Sequence, residues 1–86
     1  MAHHSLKILP CFFEAVLDGQ KTFEIRLNDR DYKADDTVTL LEYSATLGPG
    51  EQGYTGRACD RRVGFVTDFA QQPGYVVFSL LPVSPA

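Results

Sequence analysis

Lys21, Glu24 and Arg26 place an ammonium, a carboxylate and a guanidinium in one short stretch, Gly19-Gln20-Lys21-Thr22-Phe23-Glu24-Ile25-Arg26. Arg26 offers a planar fork suited to phosphate, and Lys21 a compact point charge. Glu24 can accept from the exocyclic amine of a base or hold Arg26 in a fixed aim. Arg30 and Arg57 would extend an anion site, and Tyr54 offers a ring on which a base can stack, worth roughly 1–3 kcal/mol where it occurs. Each residue also has a plainer role. Glu24 with Arg26 is equally a surface ion pair worth under about 1 kcal/mol, Tyr54 a packed aromatic, and Arg57 a solvated loop charge. His4 is a lesser candidate for the same cleft, since a single histidine near a terminus is more often a satisfied surface group.

The elements that must position these groups follow from periodicity. Phe23, Ile25 and Leu27 alternate with Thr22, Glu24 and Arg26, which predicts a strand over Lys21–Leu27 with one apolar and one polar face. Ions two residues apart on one face are costly to bury unless paired, so that face is either solvated sheet surface or the wall of a polar cleft. Before it, Ser5–Leu9 reads as a first strand, and Pro10 suits the opening turn of a helix. Cys11–Asp18 carries Phe12, Phe13, Val16 and Leu17 at helical spacing, and Gly19 ends the helix. So short a helix must be held by packing on a sheet.

Asn28-Asp29-Arg30-Asp31 and Ala34-Asp35-Asp36 are turn chemistry, and Thr37–Tyr43 is a β-branched strand. Residues 44–53 form the longest loop, which its glycines and proline predict to be mobile. Tyr54–Arg57 reopens order and leads into a long strand over Ala58–Asp68, with Val63, Phe65, Cys59 and Arg61 on one face and a bend or bulge near Asp60-Arg61-Arg62. Tyr75–Leu81 is almost continuously apolar and reads as a central strand buried on both faces. Five or so strands and one short helix predict an α+β, mainly β fold: a small mixed barrel of five or six strands capped by the helix. Residues 1–86 form one domain, with a core over 4–81 and frayed ends at 1–3 and 82–86.

Net charge is −3, so any nucleic-acid binding must rest on a local patch and favours a small ligand or short strand over extended duplex. No apolar run approaches membrane-spanning length and the start is polar, which predicts a cytoplasmic protein without a membrane partner. Cys11 and Cys59 lack metal-type spacing and read as free thiols. His3-His4 has no third ligand nearby, so neither a metal nor another cofactor is expected.

His4-Ser5-Leu6-Lys7, Gly19 through Arg30, Glu42-Tyr43 and Tyr54-Thr55-Gly56-Arg57 occur in that order. Together they resemble the ASCH domains of the PUA-like superfamily, closest to a short stand-alone phage and bacterial branch of unknown function, over roughly residues 4 to 81. The resemblance implies a PUA-like β-barrel whose cleft, between barrel and helix side, binds RNA or a nucleotide-like ligand. It carries over Lys21, Glu24 and Arg26 as motif residues, with Arg30 and Tyr54–Arg57 particular to the close branch. Relatives usually have Gly-Asp where this chain has Asp35-Asp36.

Some small members of the superfamily are amidohydrolases acting on acetylated cytidine through a Lys, a Thr nucleophile and a distant Glu. Here Lys21 matches the first, but Glu24 occupies the nucleophile's place, and Thr22 is displaced from it by about 7 Å along a strand. A hydrolase of an acylated nucleoside, with Lys21 and Glu24 as acid/base pair, is therefore the weaker alternative. A protein-interaction domain without a small-molecule site is the second.

Overall fold

A parallel pair starts the sheet. In the computed structural model, which describes residues 1–44 and 53–83, strand β1 (His3–Ile8) lies beside β3 (Thr37–Ser44) with His3 opposite Thr37 and Ile8 opposite Glu42. Such a pair needs a crossover, and helix α1 (Pro10–Leu17) with strand β2 (Phe23–Leu27) supplies it. Strands β4 (Gly53–Thr67) and β5 (Tyr75–Pro82) complete one sheet in the order β1-β3-β4-β5-β2, antiparallel after the first pair. The result is a five-stranded half-barrel with one short helix, the mainly β architecture expected. Of the loop predicted over 44–53 and the tail over 82–86, residues 45–52 and 84–86 lie outside the described residues, whereas Ser44 and Gly53 pair at the ends of β3 and β4.

The inner face is a single apolar core. Leu6 and Ile8 of β1, Val38 and Leu40 of β3, Val63 of β4, and Val76, Phe78 and Leu80 of β5 are all buried, and α1 lays Phe13 and Val16 over them. Pro10 stands in the first turn of α1, where its missing N–H has no helical partner to lose. Gly19 takes φ +85° just past the helix end, a conformation that costs glycine nothing. The chain is then tied back by Lys21 N–H donating to Ala15 O at 2.9 Å, which fixes where β2 begins.

Three expectations need correction. Phe12 and Leu17 are not on the packed face of α1 but half exposed, and only Phe13 and Val16 are buried. In β4 the predicted alternation breaks at a bulge between Val63 and Val66. The bulge adds a residue, so Val66 resumes the inward side and Phe65 is thrown outward, 74% exposed. In β5 only the Val76, Phe78 and Leu80 face is fully buried, while Val77, Ser79 and Leu81 are half covered. β1 itself opens at His3, whose Nδ1 lies 2.6 Å from Thr37 Oγ1, and β5 runs through Pro82. Asp35 takes φ +73°, so the turn before β3 holds a left-handed aspartate.

The sheet does not close by backbone pairing. Its two edges, β1 and β2, are bridged instead by arginine side chains. Arg26 Nη2 donates to Lys7 O at 2.5 Å and Arg30 Nη1 to Ser5 O at 3.1 Å. Edge carbonyls that a neighbouring strand would otherwise take are satisfied by guanidinium groups.

Candidate functional site

Strand β2 is inverted relative to ordinary patterning. Its apolar residues Phe23, Ile25 and Leu27 are half exposed, whereas Glu24 is 4% exposed and Arg26 is partly buried. The register explains this, because Glu24 stands opposite Phe78 and Arg26 opposite Val76, both on the core face of β5. Of the two sequence readings of the polar face, solvated surface is excluded for Glu24.

Burial of this carboxylate is offset by two cations. Lys21 Nζ donates to Glu24 Oε1 and, at 2.6 Å, to Phe23 O. Arg26 Nε donates to Glu24 Oε2 at 2.8 Å. Both oxygens of Glu24 are thus held by charged donors, the condition under which a buried ion is tolerated.

These three side chains face one cleft of about 600 Å³ between the end of β1, α1 and β2. Lys21, Glu24 and Arg26 form its polar floor. Ile8, Leu9, Phe12, Ala15, Phe23 and Ile25 give it an apolar lining, and Gln20 and Lys7 complete it. Lys21 Nζ also lies 5.1 Å from the Phe23 ring centroid and 5.8 Å from that of Phe12, within the range of cation–π attraction.

Lys7 is the residue that sequence reasoning missed. Every other cationic Lys or Arg among the described residues except Arg61 has a carboxylate within 4 Å; Lys7 has none. Its ammonium sits 4.5 Å over the Tyr43 ring. The available signal was its place in His4-Ser5-Leu6-Lys7, on the exposed phase of a strand whose alternate residues are core.

The remaining predicted residues stand elsewhere. Arg30 joins the β1–β2 seam through Ser5 O and lies 3.9 Å from Asp29. Tyr54 is 57% exposed and meets Tyr43 edge-on at 5.3 Å between centroids. Arg57 is committed to carboxylates. Its Nε and Nη2 each donate to buried Glu42 at 2.9 Å, Nη2 also reaches Glu14 on α1, and the guanidinium lies 4.9 Å above Phe13. Thr55 Oγ1 adds a 2.6 Å bond to Glu42. Hydrogen bonds from Arg57 and then Thr55 hold the Glu42 carboxyl down at about 2, and Glu42 in turn pushes the Arg57 pKa up. The Tyr54–Arg57 motif therefore clamps the helix to the sheet.

His4 is buried on the opposite phase of β1 from His3, with Nε2 2.8 Å from Asp36 Oδ2 and its ring 4.8 Å from that of Tyr32. Burial pushes the Asp36 carboxyl up, but bonds from Ala2 N–H, His4 and Lys33 N–H outweigh it and hold the pKa below the ordinary value. His4 does not line the cleft; it anchors the first strand. Tyr32, also unforeseen, is buried near Arg26, Arg30 and Glu24, and burial raises its hydroxyl pKa. Thr22 lines a separate hollow with Leu80 and Arg61, apart from Glu24.

Fold and cleft together define a small β-rich half-barrel domain with a charged-floored recess between helix and sheet edge. No helix among the described residues is long and apolar enough to cross a membrane. The chain belongs to the family described as Domain of unknown function (DUF3850), which matches residues 3–80. It is 34% identical over 67 residues to an uncharacterized 12.9 kDa protein in the GpA 3' region of Escherichia phage P2, an alignment that covers 78% of this chain and 56% of that relative. The chain thus spans little more than half the length of that relative.

Proposed function

We propose that this domain is a PUA-like module of the ASCH type that binds a nucleotide unit of RNA in the cleft between β1, α1 and β2. One observation carries the reading: Lys21, Glu24 and Arg26 converge on a single recess with apolar walls instead of dispersing over a convex surface. A flat, polar-edged, weakly apolar group such as a base fits walls that include Phe12 and Phe23. Glu24 and the cations beside it supply acceptor and donors at the floor. Phosphate is met by Lys7, the cation of the cleft with no carboxylate partner among the described residues.

Net acidity of the chain sets the scale of binding. A protein of charge −3 lacks the broad positive field that duplex prefers, so affinity rests on the recess. The test is titration of ribonucleoside monophosphates and short single-stranded RNA at rising salt. Binding should weaken with salt, and Lys7→Ala should lower the salt slope by about 0.7 for one single-strand phosphate contact. Absence of binding, or salt-independent binding unaffected by Lys7→Ala and Arg26→Ala, refutes the proposal.

The acylated-nucleoside hydrolase is the weaker fit. Thr22 shares its hollow with Lys21 but not with Glu24 or Arg26, which line the other cleft, so a Thr nucleophile would stand apart from the rest of the cluster. Glu24, with each oxygen already accepting from a cation, is a poor nucleophile.

A further inference from the structure

We infer that the occupant of the cleft is a strand and not a free nucleotide, and that it leaves the recess over Lys7 onto a platform made by Tyr43 and Tyr54. This rests on the proposed nucleotide-binding reading and specifies its ligand. Lys7 belongs to two places at once: it lines the cleft, and its ammonium lies 4.5 Å over the Tyr43 ring. Tyr43 and Tyr54 are register partners on neighbouring strands, so their side chains share one face of the sheet. That face is the outer one, since Leu40 and Glu42 on the alternate phase are buried. The rings meet edge-on at 5.3 Å and 80°, which leaves Tyr54 57% exposed.

The order cleft, Lys7 ammonium held over Tyr43, then exposed Tyr54 matches the order base, phosphate, base along a chain. Single-strand binding surfaces combine a cation that tracks the backbone with rings on which successive bases stack. Lys7 also has no competing carboxylate among the described residues, unlike Arg30 and Arg57.

The experiment compares ribonucleoside monophosphates with a single-stranded tetranucleotide on the intact protein, by calorimetry, for wild type, Tyr54→Ala, Tyr54→Phe and Arg26→Ala. The tetranucleotide should bind about tenfold tighter than any monophosphate, and Tyr54→Ala should remove most of that gain while leaving monophosphate binding within about twofold. Tyr54→Phe, which keeps the ring, should behave as wild type. Arg26→Ala should weaken both ligands.

Equal affinity for monophosphate and tetranucleotide overturns the inference and leaves the nucleotide reading standing. So does a Tyr54→Ala loss that falls on both ligands alike or on neither, or a Tyr54→Phe variant as weak as Tyr54→Ala. Failure of wild type to bind either ligand removes both proposals together.

Discussion

Replacing Glu24 by Gln keeps the side-chain volume and deletes one charge at the floor of the cleft. The carboxylate now accepts from Lys21 and Arg26 on separate oxygens, and it is 4% exposed. Glutamine retains one acceptor and turns an NH₂ toward the other cation. One bond keeps its cationic donor but loses the anionic acceptor, a loss of about 1 kcal/mol, and the second is broken, at roughly 1–3 kcal/mol. The side chains of Lys21 and Arg26 are 15% and 26% exposed, so water compensates in part and the sum stays near the low end, about 2 kcal/mol. For a domain of this size that is a fall in Tm of about 8–16 °C. Thermal melts read the stability, and a double-mutant cycle with Lys21→Met reads the pair, where a coupling of about 1–2 kcal/mol is expected. A fall of less than about 4 °C, with coupling near zero, would show that the cluster behaves as a screened surface pair and that the burial argument is wrong. Nucleotide binding should fall in the same variant.

Three further outcomes follow from packing and charge. The Glu42 carboxyl is depressed from 4.5 to about 2, so its contribution to stability is complete above pH 4.5 and disappears as pH falls toward 2; urea melts across that window should show the loss, and Arg57→Met should flatten it. A Cβ added at Gly64 would collide with Ser79 Oγ and stand 2.9 Å from Leu81 Cδ1, so Gly64→Ala should destabilise by about 1–3 kcal/mol in denaturant titration. Cys11 is exposed while Cys59 is half-buried with its thiol pKa raised by burial, so a thiol reagent at pH 8 should label one cysteine fast and the other slowly, and the slow one should be absent from Cys59→Ala.

The order of elements was legible because each carries a local signal: proline and glycine bracket α1, and the strands differ in length and branching. The three-residue charge cluster was legible as well, because its members lie within one strand and its approach. Which way β2 faces was not. Alternation assigns two faces but not their direction, and a charged face that satisfies itself can turn inward while Phe23, Ile25 and Leu27 turn out. The outward Phe65 was hidden for a related reason, since one inserted residue at the Val63–Val66 bulge reverses the phase. Arg57 looked free in sequence because its carboxylate partners, Glu14 and Glu42, are 43 and 15 residues away. His4 with Asp36, 32 residues apart, escaped in the same way.

The rungs that join the first strand to β2 are guanidinium groups, and one of them, from Arg26, is also part of the cleft floor. A guest that drew Arg26 toward itself would release the carbonyl of Lys7 and loosen one of the two rungs, leaving the seam held by Arg30 on Ser5. Amide exchange along these two outer strands should therefore report occupancy even for a guest too small to be felt anywhere else.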